Sequence, residues 1–255
     1  MYLLNTSFKI MKVMCWNVLA DSLATTPFED TVPFPYVDPK YLEWSYRWPL
    51  ILQEIDQVNP DLLCLMELEH FDQLEASLAP KGYIGYWQPK INAQDGVAIF
   101  WRNYDLIESK SIRLSKDRSQ VAVAVLLQAE NPFLVVATHL KAREEFAEVR
   151  CAQTEALLKF TQQYQVPQII CGDFNDLPES QMAECFYQHN FVNAVPLAWT
   201  AWQKRADREE QKAIDYIWIH PSIFKIVQTS SKEITGPLPT KEFPSDHVYL
   251  VATLQ

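Results

Sequence analysis

The stretch Gln168–Asp176, QIICGDFND, decides how the rest of the chain is read. Gln168–Cys171 is a short apolar run, and Gly172-Asp173-Phe174-Asn175-Asp176 follows it at once. A polar residue at the end of a buried strand is well placed for a site in an α/β protein. In an extended chain Asp173 and Asn175 point to the same side. A carboxylate there can orient and activate a water, and a carboxamide can hold a phosphate oxygen. The bland alternative is a strand end followed by a helix cap, with Asp176 capping a helix over Glu179–His189.

The same pattern recurs along the chain. Apolar, strand-like stretches cover Lys12–Trp16, Asp61–Met66, Tyr83–Gln88, Gly96–Trp101, Val121–Gln128, Phe133–Thr138, Ile214–His220 and His247–Leu254. Several are continuous rather than alternating, which predicts sheets covered on both faces. Asn17, Glu67 and His139 each stand just past the end of one such run. Asp215 sits inside the apolar run Ile214–Trp218. Buried carboxylates are rare unless paired, and the natural employment of this one is to orient a histidine. Asp246 and His247 lie side by side before the last strand, where they can supply a metal ligand and a general acid or base. The bland reading of Ser245-Asp246-His247 is a hydrogen-bonded turn. Helical spacing of apolar residues predicts helices over Tyr46–Val58, His70–Leu78 and Glu144–Tyr164, and Asn59-Pro60 stops the first. Thr25–Lys40 is Pro-rich and reads as an irregular loop. Lys204–Lys212 is a charge run, read alone as a solvated loop. His70, His189 and His220 lack such settings and read as surface or structural. With no linker or repeat, residues 1–255 read as one α/β domain.

The bulk composition narrows the function. The chain has 255 residues, a net charge of −10 and only 5 glycines. An acidic chain repels polyanions at long range, so indiscriminate nucleic-acid binding is disfavoured. A bound cation with a few local Lys or Arg can still invert the field in one cleft. Glycine-rich phosphate loops are not expected. The 5 cysteines form no CxxC and read as reduced thiols of a cytoplasmic protein. No apolar run approaches the roughly 18 residues of a membrane helix, so no membrane partner is expected. Hard carboxylate and carboxamide oxygens with few nitrogens suit Mg²⁺, with Mn²⁺ as the alternative, and not zinc.

In that order, the set Trp16-Asn17, Glu67, Thr138-His139, Gly172-Asp173-Phe174-Asn175, Ile214-Asp215-Tyr216 and Ser245-Asp246-His247 resembles the endonuclease/exonuclease/phosphatase superfamily. It spans nearly the whole chain. Within the superfamily the chain is most similar to the nocturnin and deadenylase branch, through CWNVLA at 15–20, NPDLLCL at 59–65, THLKAR at 138–143 and PSDH at 244–247. The resemblance implies a two-sheet α/β sandwich flanked by helices, like that of deoxyribonuclease I. It implies Mg²⁺ on Glu67 with Asn17 and Asp246 beside it. Asp173 would orient the attacking water, Asn175 and His139 would hold non-bridging oxygens, and Asp215 with His247 would form a charge-stabilising dyad. Lys90, Lys141, Arg143 and Arg205 match substrate-holding cations. The resemblance implies a branch split by substrate, most members being poly(A) exonucleases and others removing the 2′-phosphate of NADP(H); with the four cations matched, the expectation here is the 2′-phosphatase, with a 3′-exonuclease on RNA, such as poly(A), as the alternative. A non-catalytic binding module is a third class, disfavoured by the completeness of the catalytic set. A monomer is expected. Two departures stand out: Met66 precedes Glu67 where the family has glutamine, and only four residues separate Lys90 from Asp95, where the branch carries a longer loop.

Overall fold

The computed structural model describes residues 9–26, 32–115, 120–204 and 208–255. In chain order the elements are β1 (Met11–Asn17), α1 (Asp21–Thr25), α2 (Trp44–Val58), β2 (Leu62–Leu68), α3 (Phe71–Leu78), β3 (Ile84–Pro89), β4 (Gly96–Trp101), β5 (Asp105–Arg113), β6 (Val121–Gln128), β7 (Pro132–His139), α4 (Ala147–Thr161), β8 (Gln168–Asp173), α5 (Gln181–Gln188), β9 (Val192–Asn193), β10 (Ala201–Lys204), β11 (Glu209–Lys212), β12 (Asp215–Ile219), β13 (Ile226–Ser231) and β14 (Leu250–Leu254). They build two six-stranded sheets, ordered β13-β14-β1-β2-β4-β3 and β5-β6-β7-β8-β12-β9, plus the β10–β11 hairpin.

The strands are apolar on both sides because both sides are covered. Successive side chains alternate between faces. In β1, Val13 and Cys15 enter the core between the sheets, while Met14 and Trp16 face α2 and α3. In β8, Ile169 and Cys171 join that same inter-sheet core, and Ile170 packs outward against Leu157, Leu158, Met182 and Phe186 of α4 and α5. The result is helix, sheet, sheet, helix. Each sheet holds one parallel pair at its heart, β1 with β2 and β7 with β8. Those pairs bring Asn17 beside Met66 and His139 beside Asp173, while the antiparallel β12 sets Asp215 opposite Asp173. The polar strand ends are thereby gathered at one end of the sandwich. Gly172 permits this closeness: a Cβ there would stand 2.3 Å from the Thr138 carbonyl oxygen of the adjoining strand.

The structure departs from the sequence reading in several places. Asp176 caps nothing; its carboxylate takes the Arg150 guanidinium at 2.9 Å, and Ser180 caps α5 through Ala183 N. Asn175 is not an extended continuation of β8. The strand ends at Asp173, Asn175 turns to φ +52°, and its N–H donates to Asp173 Oδ1 at 2.9 Å. The charged run 204–212 is in part the β10–β11 hairpin rather than a loop. The last strand begins at Leu250, not His247, because His247 makes only an isolated bridge to Ala201. Strands β5 and β13 were missed. Among the described residues no helix is long and apolar enough to cross a membrane. The cysteines are unpaired; Cys15, Cys64 and Cys171 are buried in the core.

Candidate active site

Asn17 is the hub. It is fully buried at the end of β1, and its Nδ2 donates to Glu67 Oε1 and to Asp173 Oδ2, each at 3.0 Å. Its Oδ1 accepts from Leu19 N. The carboxamide therefore holds one carboxylate from each sheet. Glu67 stands where β2 is interrupted against β4, at φ +58°, a strained setting for a side chain-bearing residue. The bulge turns its carboxylate into the site, where Oε2 also accepts from Ala20 N.

Asp173 lies 2% exposed at the centre. Burial and the neighbouring Asp215 push its carboxyl up to about 7, against the pull of His247 and Asn17. Asp215 Oδ2 meets His247 Nδ1 at 2.8 Å and also accepts the Thr200 hydroxyl at 2.6 Å. The other oxygen of Asp215 is buried without a hydrogen-bond partner. For His247, burial opposes the charge, but Asp215, Asp246 and Asp173 together outweigh it and hold the imidazole well above its usual range. His139 has the opposite fate: burial, then Lys90 and His247, keep it well below that range and neutral. Both imidazoles turn Nε2 toward Asp173 Oδ2, His139 at 3.6 Å and His247 at 3.8 Å. Two histidines in different protonation states thus flank one carboxylate. Such divergence marks acid/base assignments.

Asp246 is buried and takes the Gln203 amide on Oδ2 at 2.5 Å. Asn175 donates from Nδ2 to Leu140 O at 3.2 Å. Of the four cations, Lys90 reaches His139 Nδ1 at 3.1 Å, Lys141 lies over the Phe146 ring, and Arg143 is 57% exposed near Glu145. Arg205 lies outside the described residues. Lys141 and Arg143 share a loop fixed from behind by Arg150, whose Nη1 donates to both their carbonyl oxygens.

The donor set fits a divalent cation. Glu67, His139 and Asp173 present atoms within 4.8 Å of one another, as do Asp173, Asp215 and His247; Asp246 is in neither group, and with His247 held cationic the ligands to count are the carboxylate oxygens. Glu67, Asp173, Asp215 and Asp246 gather carboxylates at this end of the sheets, and Asp173 is raised by burial first and then by Asp215 and Glu67. Oxygen donors in that setting suit a hard ion.

Sequence reasoning missed the residues that support this set. Arg47 of α2 is fully buried and donates to the carbonyl oxygens of Val18, Leu19, Leu42 and Pro244, tying the loop after β1 to the Ser245–His247 turn. Thr200 and Gln203 give no sequence signal, since their partners Asp215 and Asp246 lie on other elements, and Asp95 enters the sequence reading only as the end of the short loop after Lys90. Trp101 is core and Trp87 stacks on Phe71, while half-buried Trp202 packs edge-on against Trp199.

Comparison with known proteins identifies relatives of the chain and of its fold. The family model described as Endonuclease/Exonuclease/phosphatase family matches residues 14–247. Mouse Nocturnin is 33% identical over 286 residues, covering 97% of this chain and 66% of that protein. Human 2',5'-phosphodiesterase 12 is 25% identical, covering 98% of this chain and 52% of that protein. The chain thus spans about two thirds of the first relative and about half of the second. The solved human Nocturnin catalytic domain with bound sulfate anion superposes with a TM-score of 0.78 at 30% identity, over 96% of this chain and 93% of that one.

Proposed function

Because this chain belongs to the endonuclease/exonuclease/phosphatase family, we propose that it hydrolyses a phosphate monoester on a nucleotide, the 2′-phosphate of NADP⁺ or NADPH, with Mg²⁺. The observation that carries the reading is the convergence of Glu67, Asn17, His139, Asp173, Asp215 and His247 at one end of the two sheets. The NADP(H) choice rests on the likeness to Nocturnin and on Lys141, Arg143 and Arg205, which the sequence resemblance implies hold the substrate.

A bound Mg²⁺, held by Glu67 with Asn17 and Asp246 beside it, would polarise the phosphoryl group, worth several kcal/mol in the transition state. The chain's own residues do the rest. Asp173, poised near neutrality, orients the attacking water and accepts its proton. The water oxygen forms a bond to phosphorus, and the bond from phosphorus to the 2′-oxygen breaks. The leaving oxygen takes up a proton from solvent, giving NAD(H) and inorganic phosphate, and Asp173 returns the proton it accepted to solvent. His247, cationic against Asp215, stabilises charge on the phosphoryl oxygens, and neutral His139 donates from Nε2. Asn175 exchanges its Leu140 contact for a phosphoryl oxygen. Lys141 and Arg143 face the remaining phosphates, Arg suited to a paired grip.

A phosphodiester is the second reading, favoured by the likeness to 2',5'-phosphodiesterase 12. It keeps the same residues and changes the leaving group. The deciding experiment incubates the protein and Mg²⁺ with NADP⁺ and, in parallel, with labelled oligo(A), using Glu67→Ala as control. NAD⁺ with intact RNA supports the monoester reading. Shortened RNA with untouched NADP⁺ overturns it and makes the cations a backbone clamp.

A further inference from the structure

Lys90 does not sit like a residue waiting for substrate. Its side chain is 11% exposed, and its Nζ lies 2.6 Å from Asp95 Oδ2 and 3.1 Å from His139 Nδ1. The contact with Asp95 is an ion pair rather than an aligned hydrogen bond. Asp95 is itself buried, its side chain 7% exposed. The turn that carries both residues is closed by a backbone hydrogen bond. Lys90 N donates to Asp95 O at 3.0 Å, and a Cβ on the next residue, Gly96, would fall 2.4 Å from Gln88 O. The short link from Lys90 to Asp95 is what sets this pair against His139.

An ammonium offers only donors. Facing one, His139 Nδ1 must present its lone pair, and the single proton of the neutral ring then belongs on Nε2. The other tautomer would set donor against donor. The Nε2 atom faces Asp173 Oδ2 at 3.6 Å, too far for an ordinary hydrogen bond, so this N–H is left directed into the site.

We infer that Asp95 and Lys90 are a positioning pair that fixes His139 as its Nε2–H tautomer, so that the imidazole meets the substrate phosphoryl group as a hydrogen-bond donor. The last clause rests on the proposed hydrolase reading; the tautomer does not. Lys90 is on this account a residue that acts through His139, with Asp95 keeping its ammonium in place, rather than a clamp on a distal phosphate.

The test is imidazole nitrogen NMR on the full chain labelled with ¹⁵N-histidine, free of metal and nucleotide, with the His139 signals identified by their loss in His139→Gln. The wild type is expected to show His139 only as the Nε2–H form. Lys90→Met and Asp95→Asn are expected to convert it to a mixture of tautomers. A wild-type proton on Nδ1 overturns the inference, as does an unchanged pattern in a folded variant of either residue. If Lys90→Met does not fold, the wild type and the nearly isosteric Asp95→Asn decide. Kinetics on NADP⁺ with Mg²⁺ give the second readout. Asp95→Asn should lower kcat about 10- to 100-fold, the range for loss of a partner that orients a functional histidine, with KM within twofold. A rise in KM alone would make the pair a substrate clamp. Should NADP⁺ not be a substrate at all, the spectra alone judge the tautomer.

Discussion

Replacing Asp173 by Asn should stabilise the metal-free protein at high pH while abolishing turnover. Asp173 titrates near 7 in the folded chain, raised by burial first and Asp215 second, against about 3.9 in an unfolded one. Below about pH 4 the group is protonated in both states and contributes nothing. Between about 4 and 7 the folded state holds a proton that the unfolded state has lost, so stability falls as pH rises. Above 7 the folded state carries a buried charge. A shift of about 3 units corresponds to about 4 kcal/mol as a ceiling, and the coupling of Asp173 to its charged neighbours reduces it to about 2. Asparagine removes this pH-dependent penalty. It also loses one acceptor, since Asp173 takes both Asn175 N and Asn17 Nδ2, a pH-independent loss of about 1 kcal/mol. The assay is urea unfolding of both proteins in chelator at pH 4.5 and pH 8. The stability of Asp173→Asn relative to wild type should rise by about 2 kcal/mol between them. A difference flat with pH would refute the placement of a strained carboxylate at the centre of this site.

Glu67→Gln should leave the fold intact, abolish turnover and remove most of the stabilisation that Mg²⁺ gives to wild type; for wild type that gain should reach about 2.7 kcal/mol at one hundred times the dissociation constant, read by unfolding with and without the ion. Asp215→Asn should lower kcat by about 10²- to 10⁴-fold and return the His247 titration, followed by proton NMR, toward its ordinary range, because its hydrogen-bonded anion is gone. Arg47→Met should lower stability in urea by more than about 3 kcal/mol, since several carbonyl oxygens lose a buried charged donor. Arg143→Ala, at an exposed position, should raise KM for NADP⁺ with little change in unfolding midpoint.

The layered fold was legible because the strands betray themselves. A run such as Leu62–Met66, apolar at every position, has few homes other than a sheet covered on both faces, and the polar residue that breaks it marks the end where a site can sit. Asn17, Glu67, His139 and Asp173 were all found that way, and Asp215 by the anomaly of a carboxylate within such a run. The edge strands gave no such signal. β5 and β13 are mostly exposed, so nothing forces their residues into an apolar run. The helix cap was misplaced because Asp and Ser are both good caps, and only the position of Arg150 reveals that Asp176 is already engaged. The supporting residues were illegible for a related reason. Thr200 and Gln203 are ordinary polar residues, and their partners, Asp215 and Asp246, are set by tertiary approach alone; Asp95 has its partner Lys90 in the same turn, but only the approach of His139 to Lys90 gives that pair a place in the site.

The most direct test of the account is ³¹P NMR of NADP⁺ incubated with the wild-type chain and Mg²⁺. The account predicts that the 2′-phosphate resonance decays as inorganic phosphate grows, that the pyrophosphate resonances stay intact, and that Glu67→Gln shows neither change. Cleavage of the pyrophosphate, or an unaltered spectrum from a folded protein with excess Mg²⁺, would contradict it.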